Sequence, residues 1–363
     1  GLGDVYKRQP QFVLVVYGAT SFVGQILLEY MLRRYGIDED IHWAAAGRSI
    51  AKLQRVRDGL GAAAGDMTLL VADAEDETAL RVMCEQARVV VSTVGPYDLY
   101  GSTLVKVCAE TGTDYCDLTG EARWVRRMAE LYHDAARASG ARLVHSCGFD
   151  SLPSDMGVYF LQQQAQASFG EYCHRVVFRA KAVDGAFSGG TVATMLNERK
   201  FLAEHPHLQA ELENPYYLCP PGYRNATPQH RVSSAEFDED FACWIAPFVM
   251  APINEPVVMR SHALAGNPYG EAFTYNEGML TAPGIKGRMA ATAVATAMNA
   301  FNGATGITAL RNWLARHVLP SPGEGPSKAA QEKGFYDIRL FGETPSGHTL
   351  QVKVTGDRDP GYG

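Results

Sequence analysis

VVYGATSFVG, residues 15–24, joins an apolar run to a turn of small residues and then to the start of an amphipathic segment. A buried strand that turns sharply at Gly18 and continues as a helix near Gly24 is the strand–turn–helix unit that receives a pyrophosphate in dinucleotide-binding folds. Gly18 permits the turn off the strand, and Gly24 lets the helix pack closely on the sheet. The spacing is G-x-x-S-x-x-G, so Ser21 stands where a middle glycine normally lets the backbone approach the pyrophosphate. Serine adds a Cβ but also a hydroxyl that can donate to a phosphate oxygen, and the helix N-terminus still supplies N–H groups. The expectation is a weakened but retained phosphate loop, with Gly18, Ala19, Thr20, Ser21, Phe22, Val23 and Gly24 as its contacts.

Working outward, six short apolar runs alternate with amphipathic ones between Gln11 and Ser146: FVLVV, IHWAAA, MTLLVA, VVVSTV, TDYCDL and RLVHS. Each has the length of a buried parallel strand. Helical stretches such as Val23–Arg34, Ile50–Leu60, Glu75–Cys84 and Glu121–Ser139 lie between them. Strands with right-handed helical crossovers give an α/β fold, a Rossmann-type doubly wound parallel sheet. The end of the second strand, AAAGRSIAKL, lacks the acidic residue that an NAD site places against the ribose 2′-hydroxyl. Arg48, Ser49 and Lys52 stand there instead, a donor set suited to a 2′-phosphate, so NADP(H) is favoured over NAD. Asp73 ends the third strand beside the adenine position, and Ser92, Thr93, Val94 and Gly95 end the fourth on the same rim, where ligands of such sheets sit.

After Pro153 the rhythm changes. A helix is expected over Met156–Gln166, a strand in HRVVFRAKAV, and a helix opened by SGGT at Ser188. Residues 214–256, rich in Pro, Tyr and Asn, read as irregular, and FYDIRLFG and HTLQVKV form a hairpin around ETPSGH after the loop LPSPGEGPS at 319–327. The expected division is residues 10–150 for the cofactor domain and 151–355 for a second, α+β domain, with 356–363 opening a truncated C-terminal segment. Residues 1–9, GLGDVYKRQ, lack periodicity and resemble a translated sequencing adapter, so they stand outside the fold reading.

With 363 residues, 46% hydrophobic and 20% charged, the chain can bury more than one core. A formal net charge of -7 and the lack of any basic run exclude nucleic acid as a partner. Seven scattered cysteines without a C-x-x-C pair indicate buried thiols in a reducing compartment rather than a disulfide framework or zinc site. GRMAATAVATAMNAFNGATGITAL, residues 287–310, is a poor membrane span because of Asn299, Asn302 and its small residues, which leaves interfacial contact or a core helix.

No tyrosine is followed four residues later by lysine, and H-E-x-x-H and G-x-S-x-G are absent, which disfavours the short-chain dehydrogenase pair, metal hydrolysis and a serine nucleophile. Candidates gather on the last two strand ends. DYCDLTGE offers Asp117, Thr119 and Glu121, and HSCGFDSLPSD offers His145, Cys147, Asp150, Ser151, Ser154 and Asp155. The helix beyond Pro153 presents N-terminal N–H groups to a substrate oxygen. Ser151, Ser154 and Asp155 equally suit a helix start, and His145 equally suits a hydrogen-bonded core position. Catalytic candidates are therefore Tyr97, Asp117, His145, Asp150 and Ser154, with no metal. FSGGT, 187–191, reads as an anion-receptive helix start or a plain turn, and FACWIAPFVMAPI, 241–253, as an acyl pocket or core.

Together GATSFVG, AGRS, TVGPY, YGSTLVKVCAETGTDYCDLTGE and HSCGFDSLPSD resemble the saccharopine dehydrogenase-like oxidoreductases, and within them the trans-acting enoyl reductases of lipid and glycolipid biosynthesis. The similarity continues through FSGGT, MAP, GPS and GDRDPGYG. It implies an N-terminal Rossmann domain, NADP(H), and a second α+β domain over the cofactor. The leading reading is then hydride delivery to an activated double bond of an acyl or isoprenoid-like chain, with Tyr97 or His145 as the expected proton source. Such a protein is expected in the cytoplasm, touching membrane or lipid surfaces peripherally, with a second copy of the chain as a further partner. Two other readings stay open: a saccharopine-type amino-acid dehydrogenase, for which Arg175, Arg179 and Arg199 are the scattered cations of the second domain, and a non-catalytic NADP-binding scaffold at a lipid surface.

Overall fold

The computed structural model describes residues 10–37, 41–185, 188–225, 227–317 and 324–363. The adapter-like start, Phe187 of FSGGT and residues 319–323 of the expected loop lie outside the described residues. The chain forms two compact units, one reaching to Thr119 and taking in Trp124–Cys147, the other made of Gly120–Arg123 and Gly148–Gly363.

In the first unit β1 (Phe12–Tyr17), α1 (Phe22–Tyr35), β2 (Trp43–Gly47), α2 (Ile50–Gly59), β3 (Thr68–Val71), α3 (Glu77–Glu85) and β4 (Ala87–Ser92) alternate in order. A short α4 (Tyr97–Tyr100), α5 (Ser102–Thr111), β5 (Asp114–Asp117), α6 (Ala122–Ser139) and β6 (Leu143–Val144) follow. The six strands lie in the order β3-β2-β1-β4-β5-β6, and every pairing is parallel. The runs are apolar along their length because helices cover both faces: Val16 of β1 faces Ala45 and Val91 in register and packs with Leu28, Met31, Trp43 and Leu53. Strand order reverses at β1, between β2 and β4, which opens a crevice at the carboxyl ends of β1 and β4.

The second unit carries α7 (Leu152–Phe169), β7 (Arg175–Asp184), α8 (Gly189–Glu204), α9 (Gln209–Leu212), β8 (Glu236–Asp238), β9 (Cys243–Ala246) and α10 (Ala251–Leu264). Then come β10 (Thr274–Leu280), α11 (Gly284–Gly306), α12 (Thr308–His317), α13 (Lys328–Lys333), β11 (Phe335–Glu343) and β12 (Thr349–Gly356). They build a mixed sheet in the order β12-β11-β7-β10-β9-β8, in which only β7 and β10 pair in parallel. Val158 and Leu161 of α7 and Val258 and Met259 of α10 pack with Phe178, Tyr275 and Leu340 from the sheet.

Two sequence expectations are corrected, and one strand was missed. The helix placed at Met156 begins at Leu152, because Pro153 sits in its first turn, where a missing N–H costs nothing. The stretch read as irregular, 214–256, contains β8, β9 and the start of α10. Pro252 of α10 is likewise tolerated in the first turn, while Pro256 lies buried inside the helix. Strand β10 escaped because its run TYNEGML places a glutamate inside the sheet. No described helix is long and apolar enough to cross a membrane.

Candidate active site

The phosphate loop is built by steric necessity. Gly18 has φ +87°, and a Cβ there would stand 2.6 Å from Val94 Cγ2 and 2.7 Å from Thr93 Oγ1. A Cβ on Gly24 would lie 2.2 Å from the Gly18 carbonyl oxygen. The two glycines are therefore a matched pair that lets α1 start against the end of β1, with Ala19 buried beneath the turn and Thr20, Phe22 and Val23 half-buried along it. Ser21 caps α1: its Oγ accepts from Gly24 N at 2.9 Å and lies 2.9 Å from Thr93 Oγ1. Thr93 Oγ1 has carbonyl acceptors in Gly18 O at 3.0 Å and Tyr17 O at 3.2 Å. The expected role of the Ser21 hydroxyl is thus revised. It closes a network between the loop and β4, and would have to leave that network to bind phosphate.

At the end of β2, Arg48 and Lys52 are exposed and neither forms an ion pair among the described residues. Ser49 is the N-cap residue of α2, yet its hydroxyl makes no capping bond. A cleft of about 410 Å³ beside them is lined by Thr20, Gln25, Lys52 and Arg55, which joins the phosphate loop to the basic start of α2. Arg55 went unnoticed in the sequence because it lies one helical turn beyond the motif. Asp73 is exposed at the end of β3, where its carboxylate accepts from Glu75 N at 3.0 Å and shapes the turn. Tyr17 stands near both Asp73 and Arg48, and burial followed by the Asp73 charge raises its hydroxyl above the ordinary value.

The rim after β4 is tied down. Ser92 is fully buried, Thr93 N donates to Tyr17 O at 2.9 Å, and Val94 and Gly95 follow at the crevice. Tyr97 is 4% exposed and its hydroxyl donates to Ser92 O at 3.0 Å, with its ring 5.4 Å from that of Trp124. Its hydroxyl proton is committed to the backbone, which fits a packing role better than proton donation.

Asp117 and His145 meet at the ends of β5 and β6. The carboxylate is 1% exposed and accepts from Thr119 N at 3.1 Å and Ser146 N at 2.9 Å through Oδ1, while Oδ2 lies 2.6 Å from His145 Nδ1. An ionised carboxylate only accepts, so the pair assigns a proton to Nδ1 and leaves Nε2 as the nitrogen that can exchange one. The imidazole stands edge-on to Trp124, centroids 5.0 Å apart, and to Tyr115 at 5.7 Å. Ser146 adopts φ 60°, a left-handed conformation unusual for serine, held by its N–H on Asp117 and its Oγ on Thr119 O at 2.8 Å. Sequence reading named both residues, but only the register of β5 beside β6 shows that they touch.

Asp150 and Ser154 belong to the second unit. Burial raises Asp150 to about 6. Ser154 is buried in a network that the sequence reading missed: Asn254 Nδ2 donates to Ser154 Oγ at 3.1 Å and to Glu277 Oε2 at 3.0 Å, and Ser151 Oγ donates to Asn254 Oδ1 at 3.2 Å. Tyr275 donates to Glu277 Oε1 at 2.6 Å, and Glu255 accepts from Glu277 N at 3.2 Å and Arg231 Nε at 2.8 Å. Ser154 is thereby a structural anchor of the first turn of α7. The start of α8 is also occupied, since Ser188 Oγ caps Thr191 N at 3.3 Å and Ser188 N donates to Tyr362 Oη at 2.9 Å. The anion-receptive reading of that turn is replaced by a seat for the GDRDPGYG segment.

Residues 14–144 match the family model of the saccharopine dehydrogenase NADP binding domain. A Mycobacterium tuberculosis protein named as a trans-acting enoyl reductase is 39% identical over 362 residues, covering 97% of this chain and 85% of its own length. A trans-acting enoyl reductase of Mycobacterium ulcerans is 36% identical over 358 residues, covering 94% and 83%. The chain belongs to the trans-acting enoyl reductase family. It is thus an NADP(H)-binding, saccharopine dehydrogenase-like oxidoreductase. Among solved structures, apo histidine-tagged saccharopine dehydrogenase (L-Glu forming) from Saccharomyces cerevisiae aligns with TM-score 0.42 and 13% identity over 96% of this chain and 86% of that one. The residues present fit the cofactor: the Gly18–Gly24 turn keeps side chains out of the crevice, and Arg48 and Lys52, in no ion pair among the described residues, offer exposed cations at the end of β2.

Proposed function

We propose that this family member reduces a carbon–carbon double bond conjugated to a carbonyl on a lipid-type acyl or isoprenoid-like chain. The observation that carries the reading is the pairing of the buried Asp117 carboxylate with the half-buried His145 at the carboxyl ends of β5 and β6, on the rim that continues from Val94 and Gly95. NADPH, when bound, would supply the hydride that the β-carbon receives. Arg48, Ser49 and Lys52 would hold its 2′-phosphate end, and the Gly18–Gly24 turn would leave room for the pyrophosphate. The electron pair of the double bond moves toward the carbonyl, and His145 delivers a proton from Nε2 to the α-carbon, its Nδ1–H kept in place by Asp117. The sum is addition of one hydride and one proton, with NADP⁺ released and His145 reprotonated from water.

A substrate with several carboxylates, as in an amino-acid dehydrogenase, finds less support. Arg175 is paired with Asp240 at 2.7 and 2.8 Å, and Arg179 is buried against Asp238 at 2.5 Å. Arg199 is bonded to Asn302. The deciding experiment follows nicotinamide absorbance while NADPH is offered a trans-2-enoyl thioester, or a 2-oxo acid together with an amino acid. Oxidation with the enoyl thioester alone supports the proposal. Turnover only with the oxo acid and amine assigns the alternative activity, and tight NADPH binding without turnover in either set leaves a scaffold.

A further inference from the structure

The cleft of about 410 Å³ between α1 and α2 has two unlike walls. On the α1 side Thr20 belongs to the phosphate loop, and the Gln25 amide folds back over it, its Nε2 donating to Thr20 O at 3.3 Å and Ser21 O at 3.4 Å. Two loop carbonyls that would oppose an anion are thereby occupied. On the α2 side stand Lys52 and Arg55, three residues apart and so on one face of the helix. Glu29, the carboxylate of the cleft, lies a full turn of α1 beyond Gln25, away from the loop.

Arg55 is exposed, and its Nε donates to Ala51 O at 3.3 Å. That bond draws the side chain back over the preceding turn, toward the end of α2 at which Ser49 and Lys52 stand. No carboxylate pairs with its guanidinium among the described residues, so its terminal nitrogens keep their donors open. A phosphate monoester presents three acceptor oxygens and a charge of about −1.5 to −2 at neutral pH. A second guanidinium answers both, because its planar fork binds two oxygens at once where a lysine binds as a point charge.

We propose that Arg55 is a further specificity-determining residue for the cofactor, closing on the 2′-phosphate of NADP(H) from the α1–α2 cleft while Arg48 meets it from the end of β2. Lys52 would add charge without fixing orientation. The ribose of NAD(H) has a neutral hydroxyl at that position, so Arg55 acts on the preference between the two cofactors and not on dinucleotide binding as such. The assignment rests on NADP(H) as the cofactor and is independent of the substrate.

Fluorescence titration of the full chain with NADPH and NADH, and calorimetry with adenosine 2′,5′-bisphosphate and 5′-AMP, test the role without turnover. Arg55→Ala should weaken NADPH and the bisphosphate by about tenfold, as for one lost charge-assisted pair, and leave NADH and 5′-AMP within about twofold. Arg55→Lys should recover part of the loss, since the charge returns but the fork does not. Arg55→Glu should weaken NADPH more than Arg55→Ala does, and all three variants should melt as the native chain does because the side chain is exposed. Native NADPH affinity in Arg55→Ala, or equal weakening of NADPH and NADH, overturns the role of Arg55 alone if the native chain prefers NADPH. A native chain without that preference overturns the cofactor reading along with it.

Discussion

In the first unit the central strands β1 and β2 are apolar: Phe12, Val15 and Val16 of β1 and Trp43 to Ala46 of β2 are all buried. The second unit's sheet instead carries charge inside, with Arg179 on β7, Asp238 on β8 and Glu277 on β10. Where strands are purely apolar, polar groups concentrate at their carboxyl ends, and the chemistry is confined to a rim. Where charges are interior, each must be compensated in place, because an unpaired buried ion costs several kcal/mol. Arg179 is met by Asp238 and Asn276, and Glu277 by Tyr275 and Asn254. The rim of the first sheet can therefore be changed with loss of function and little loss of fold, whereas the interior of the second is committed to stability.

The sharpest break of that contrast is His145→Ala. With the enoyl thioester as substrate, kcat should fall by about a thousandfold while NADPH affinity and the thermal midpoint hold. An unchanged kcat would remove the proton-donor role. Next is Glu277, whose carboxyl is raised by burial to about 7 from an ordinary 4.5. Between these values the unfolded chain has lost the proton that the folded chain retains, so this group's contribution falls as pH rises and is fully lost above about 7. The loss amounts to about 3 kcal/mol, and urea midpoints of Glu277→Gln should show a correspondingly flatter decline between about pH 5 and pH 8. Equal slopes in the two proteins would show that the interior charge is not what sets this pH dependence.

Smaller effects belong to the cofactor rim. Arg48→Ala should weaken NADPH by about tenfold and leave NADH nearly unchanged in a fluorescence titration, as expected for one charge-assisted bond to the 2′-phosphate. Equal weakening of both would move the 2′-phosphate elsewhere. Least affected is Ser21→Gly. The cap it loses is worth only a few tenths of a kcal/mol relative to glycine, so NADPH affinity should change by less than about threefold. A larger rise would mean that the Ser21–Thr93 link holds the loop away from the pyrophosphate.

The readable half of the molecule was so because parallel strands covered on both faces show up as short, largely apolar runs, and all six strands fall on runs named from the sequence. Glycine spacing then located the tight turn between β1 and α1, and the missing acidic residue after β2 indicated the cofactor. What escaped is equally specific. β10 was hidden by Glu277, α10 by Pro252 and Pro256, and the Asn254–Glu277 network by the long sequence separation of its members. These arrangements are stable only once distant partners arrive, and a local pattern does not contain them.

Sequence alone therefore determined the doubly wound sheet, the Gly18–Gly24 turn and the roster of polar residues at the strand ends, because each depends on local periodicity or on steric demands within a few residues. Tertiary structure decided which of those residues meet. It joined Asp117 to His145 across 28 residues, tied Ser21 as a helix cap to Thr93, and set Ser154, a catalytic candidate in the sequence, into a buried hydrogen-bond network. The physical reason is that hydrogen bonds and burial fix the use of a side chain, and both are set by neighbours that the chain brings together only on folding.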